Sequence, residues 1–99
     1  MQLQEIHYDK SYTFVDTFST SYEISGNLSL GLKGGWGFNF DISYEGNVIG
    51  SYRYFVVDNG VINVSYTFNS PDYVEFLQYA QDLQEQFKQL NIQYVTNNS

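Results

Sequence analysis

The chain has 99 residues, with 11 Asp+Glu against 4 Lys+Arg, a net charge of -7 and no cysteine. A chain of that length forms one domain with a modest core. The lack of thiols excludes disulfides and thiolate chemistry and leaves the redox compartment open. The negative balance disfavours phosphate backbones and anionic membranes, so neither direct nucleic-acid binding nor membrane association is expected.

The first five residues, Met1-Gln2-Leu3-Gln4-Glu5, lack both a basic region and an apolar run, so no signal peptide is expected and a cytoplasmic location follows. His7, the only histidine, has no cysteine partner and no motif around it, and reads as a surface residue rather than an acid-base catalyst. Tyr12, Phe14, Asp16 and Phe18 alternate as in a strand, whereas residues 17–21 read as a loop.

The pattern then becomes regular. Leu28, Leu30 and Leu32 alternate with Ser29, Gly31 and Lys33. Trp36, Phe38, Phe40, Ile42 and Tyr44 alternate with Gly37, Asn39, Asp41, Ser43 and Glu45, which describes a strand with one wet face. Lys33-Gly34-Gly35, Glu45-Gly46-Asn47 and Asp58-Asn59-Gly60 supply the intervening turns. Residues 48–57 are apolar on both parities, so either both faces are covered there or Tyr52 and Tyr54 point outward. Ile62, Val64, Tyr66 and Phe68 alternate again.

Ser70-Pro71-Asp72 is a helix start, with Ser70 as cap, Pro71 in the first helical position and Asp72 at the positive end of the dipole. Tyr73, Phe76, Leu77, Ala80, Leu83, Phe87 and Leu90 follow at threes and fours, and Asn91 is a reasonable stop. A short edge strand over 92–95 and a frayed end over 96–99 complete the expectation. The fold class is α+β: an antiparallel four- to five-stranded β-meander over about 12–68, with one C-terminal amphipathic helix over about 71–90 packed on one face.

No pattern carries catalysis, a cofactor or a metal. The glycines Gly31, Gly34, Gly35 and Gly37 lie between strands, not between a strand and a helix as a phosphate loop requires. Counted from Asp58, position 12 of a calcium loop is Asn69, not the bidentate Glu. Asp41 and Glu45 share one strand face about 13 Å apart, too far for a glycosidase pair. Asn27-Leu28-Ser29 and Asn63-Val64-Ser65 match the glycosylation sequon and, with no secretion signal expected, read as chance matches.

What remains is a binding surface. Ten Tyr, eight Phe and one Trp exceed the needs of one small core, and Tyr is favoured where proteins meet. Codon bias competes with that reading, because one Ala, one Pro and one Arg stand against nine Asn, the signature of an AT-rich genome. Asp72, Glu75, Asp82 and Glu85 fall within about 140° of helical arc and form an acidic stripe. The candidate contact residues are therefore Trp36, Asp41, Glu45, Tyr52, Tyr54, Asp72, Glu75, Asp82 and Glu85. The expected partner is another protein with a basic surface, and a homodimer is left open. The expected class is a small non-enzymatic inhibitor, in the manner of phage or mobile-element anti-CRISPR and anti-restriction proteins that block a host nucleic-acid-handling machine. A structural or assembly subunit of a virion or secretion complex and a toxin-immunity protein are the alternatives.

Overall fold

A computed structural model describes residues 10–57 and 59–98. Five strands, β1 (Lys10–Phe18), β2 (Tyr22–Leu30), β3 (Trp36–Tyr44), β4 (Asn47–Val56) and β5 (Ile62–Phe68), lie side by side in chain order, each antiparallel to the next. One helix, α1 (Tyr73–Asn97), follows and lies across β2 and β3. This is the α+β meander with a C-terminal helix that the alternation and the amphipathic stripe predict.

The alternation decides which face meets the helix. Ile24, Leu28 and Leu30 of β2, Trp36, Phe38, Phe40 and Ile42 of β3, and Tyr52 and Tyr54 of β4 form the core with Phe76, Ala80 and Leu83 of α1. Phe87 sets its ring edge-on to Phe14 at 5.4 Å and to Phe38 at 5.2 Å, a preferred geometry for aromatic pairs. The double apolar parity of β4 resolves with Tyr52 and Tyr54 inward. A register shift at Ile42/Ser43 inserts an extra residue there, and Ile49 packs half-buried against the core.

Turn chemistry is as the glycines require. Glu45 and Gly46 have φ of 51° and 83°, so two residues at positive φ join β3 to β4. Gly60 has φ of 87°, and the Asn59 side chain accepts the Val61 N–H at 3.1 Å. Asp58 and His7 lie outside the described residues.

Three boundaries differ from expectation. Thr17 and Phe18 belong to β1, because Phe18 packs against Phe76, Tyr79 and Tyr22, and only 19–21 turn. The helix begins at Tyr73, with Asp72 in the cap position and Pro71 outside it. Ser70 Oγ accepts the Asp72 N–H at 3.1 Å. The helix also runs past Asn91 to Asn97, so 92–95 is helical rather than an edge strand, and 96–97 continue the helix instead of fraying. β-branched Ile92, Val95 and Thr96 suggest a strand locally. Tyr94 and Val95 are half-buried, and Tyr94 packs against the core, which overrides that preference. The Asn98 amide then donates to the Tyr94 carbonyl at 2.8 Å and closes the last turn.

Candidate protein-interaction surface

The nine candidate contact residues separate into three groups once placed on the fold. Trp36, Tyr52 and Tyr54 are core residues, only 5%, 5% and 6% exposed. The Trp36 ring lies 5.4 Å from Tyr54 and stacks on Phe38 at 6.4 Å. A ring so enclosed offers no area to a partner, so these three are removed from the contact surface. Parity and chain chemistry alone do not tell which side of β4 the helix covers, and the helix decides it.

Asp72 is the second group. Its carboxylate accepts the Tyr22 hydroxyl at 2.6 Å, and the residue is half-buried at the helix start. It fastens α1 to β2 and turns away from the acidic stripe. The hydrogen bond holds the Tyr22 phenol above the usual tyrosine range, because ionising it would set two negative charges together.

The third group stays at the surface. Asp41 is exposed on the sheet face opposite the helix, and Glu45 sits in the β3–β4 turn rather than on the strand beside it. Glu75, Asp82 and Glu85 are exposed on the outer helix face. Two of these three carboxylates bond to amides one helical turn away. Gln78 Nε2 donates to Asp82 at 3.1 Å, and Gln89 Nε2 donates to Glu85 at 3.3 Å. An amide orients a carboxylate without cancelling its charge, so the face keeps its negative field. Further along, Glu85, Gln86, Gln89, Leu90 and Gln93 line an open groove of about 450 Å³. Leu90, expected on the buried stripe, is 44% exposed here.

The sheet face away from the helix is mostly polar, with Ser, Thr and Asn beside Arg53, Phe55 and Val15. Asn27 Nδ2 donates to Asn39 Oδ1 at 3.3 Å across β2 and β3. Arg53 holds its guanidinium 5.4 Å from the centre of the Phe55 ring, a cation–π distance. Phe55 in turn lies over Gly37, its cross-strand partner.

Two structural contacts escape the sequence. Tyr79 of α1 donates its hydroxyl to Asp16 of β1 at 2.7 Å, and burial followed by this bond raises its phenol far above the usual value. Asn91, buried, accepts the Gly31 N–H at 3.1 Å. Burial likewise raises Tyr52 and Tyr54. All four phenols therefore stay protonated near neutral pH and act as donors and packing groups. Among the described residues, no three or more of His, Cys, Asp and Glu gather where they could hold a metal ion. No described helix is long and apolar enough to cross a membrane.

Comparison of the chain with protein-family models, with curated proteins and with solved structures finds no match. The functional reading therefore rests on the surfaces themselves.

Proposed function

We propose that the chain is a small acidic protein-binding inhibitor that works by occupying a basic surface of another protein, without turnover. The observation that carries this reading is the outer face of α1. There Glu75, Asp82 and Glu85 stand exposed, and amides rather than cations pair two of them. The whole chain adds a net charge of -7 to that local field. Such a field accelerates docking into a positively charged groove. Basic grooves of that kind belong to proteins that handle DNA or RNA, so the partner class is a host nucleic-acid-handling protein. The activity is anti-defence, of the anti-CRISPR-like kind that phages and mobile elements carry into the host cytoplasm. Immunity to a basic toxin uses the same physics and is the neighbouring reading.

The test is affinity capture from a bacterial lysate rich in native nuclease complexes, with salt elution and mass spectrometry. A stoichiometric nucleic-acid-handling protein released by salt supports the reading. Recovery of the bait alone overturns it and favours a structural or assembly subunit.

A further inference from the structure

The two edges of the sheet are built differently. β1 carries Lys10 and Asp16, and α1 covers part of its helix side, with Phe14 against Phe87, Phe18 against Phe76 and Asp16 bonded to Tyr79, while Tyr12 is 45% exposed. Charges and a covering element are the usual protections of an edge strand. β5, Ile62-Asn63-Val64-Ser65-Tyr66-Thr67-Phe68, has neither a charge nor a proline, and among the described residues only β4 lies beside it. The register with β4 is unbroken from Ile62 to Phe68, so no bulge twists this edge away.

The helix does not reach the middle of this strand. Phe76 touches Phe68 at the strand's end, with ring centres 5.5 Å apart, whereas Ile62, Val64 and Tyr66 are 54%, 48% and 52% exposed. Those three share the helix side with Val56, Tyr54 and Tyr52, their cross-strand partners. A strip of apolar surface therefore runs along an edge beside whose outer hydrogen-bonding groups no strand lies among the described residues.

We propose that β5 is a self-association edge and that its occupant is β5 of a second copy of this chain. The charge pattern favours a copy. Two chains of net charge -7 repel, and the run 59–71, between Asp58 and Asp72, is the longest in the sequence without a charged side chain. Like charges are thus kept off this edge. The strand is also self-complementary. In an antiparallel pair with Ser65 on the two-fold axis, Val64 stands opposite Tyr66 of the second copy and Ile62 opposite Phe68. On the other face Asn63 stands opposite Thr67. The axis is perpendicular to the sheet, so both helices lie on one side of a continuous ten-stranded sheet. The apolar strips of the two copies meet between them. This pairing is independent of the acidic helix face and uses none of its residues.

The test uses the full chain and the absence of native cysteine. In the proposed pair the two Ser65 Cα atoms stand about 4.5–5.5 Å apart, within disulfide reach. Ser65→Cys therefore oxidises to a covalent dimer, whereas Thr13→Cys on the other edge strand stays monomeric. In sedimentation velocity over a concentration series, the wild-type chain forms a dimer. Val64→Lys weakens that dimer by at least about tenfold, because it sets a charge into the apolar strip of each copy. Circular dichroism verifies that the variant is folded, and if it is not, the cysteine pair still decides. A wild-type chain that sediments as a monomer at every concentration overturns the proposal and leaves the edge to a foreign strand. A dimer that survives Val64→Lys with Ser65→Cys uncrosslinked overturns it equally, by placing the contact elsewhere.

Discussion

The side-chain oxygen of Asn91 accepts the backbone N–H of Gly31 at 3.1 Å, and both residues are buried. Asn91 follows Phe76, Ala80, Leu83 and Phe87 on the buried stripe of α1, where another apolar residue is expected. Gly31 directly follows β2, and in the neighbouring turn its carbonyl accepts the Gly34 N–H at 3.4 Å. The amide thus ties the far half of the helix to the β2–β3 connection. Asn91→Ala leaves a buried donor unsatisfied and is expected to cost about 1–3 kcal/mol in urea unfolding. A stability equal to wild type would show that water replaces the amide.

Three glycines lie under aromatic rings of the paired strand: Gly26 under Phe14, Gly37 under Phe55 and Gly50 under Phe68. A Cβ on Gly26 would meet the Phe14 ring at 2.6 Å and Phe40 Cβ at 2.8 Å, and would press on the Asn39 carbonyl. The carbonyl belongs to a central strand and cannot withdraw. Gly26→Ala is therefore expected to destabilise by about 1–3 kcal/mol through overpacking. Gly34, with φ of 95°, has open space around it, and its Ala variant loses only the roughly 1–2 kcal/mol of the left-handed backbone. Thermal unfolding of both, with Phe14→Leu in the Gly26→Ala background as a partial rescue, separates crowding from backbone strain.

Burial of Tyr52 and Tyr54 makes them structural. Replacing either by Ala is expected to cost about 3–5 kcal/mol, the range for a large core aromatic. Chemical denaturation reads this directly. A double variant that keeps the wild-type midpoint would return both rings to the surface.

Alkaline pH tests the two hydrogen-bonded phenols. Tyr79 and Tyr22 have pKa values raised in the folded chain, by burial with Asp16 for the first and by the hydrogen bond to Asp72 for the second. In the unfolded chain these phenols ionise near the ordinary value of about 10. Above that pH the unfolded state binds fewer protons than the folded one, so stability falls as pH rises. Below it the contribution is complete. Tyr79→Phe is expected to flatten the alkaline limb of a stability-against-pH curve while lowering stability at neutral pH, since the Asp16 bond is lost. An unchanged alkaline limb would place the titration on other groups.

Much of the fold is legible in the residues. Parity marks Phe38, Phe40 and Ile42 as core, and Glu45-Gly46 marks a tight turn, because local chemistry fixes both. The sidedness of Tyr52 and Tyr54 is not legible, since β4 is apolar on both parities and the helix alone selects one. Asn91 reads as a stop because an isolated amide on a helix favours an end, and only the distant Gly31 N–H gives it a buried role. The acidic stripe is legible for Glu75, Asp82 and Glu85 and fails for Asp72, where Tyr22, fifty residues earlier, claims the carboxylate. The edge character of β5 depends on where the helix ends its coverage, which periodicity does not contain.

The outer helix face is the central claim, and its most direct test is the association rate of the captured partner with wild type and with Glu75→Lys/Asp82→Lys/Glu85→Lys, measured against ionic strength. All three residues are exposed, so the variant is expected to fold like wild type. The wild-type rate is expected to fall as salt rises. The triple variant is expected to associate more slowly and with little salt dependence. Equal rates and equal salt slopes for the two chains would remove the helix face from the interface.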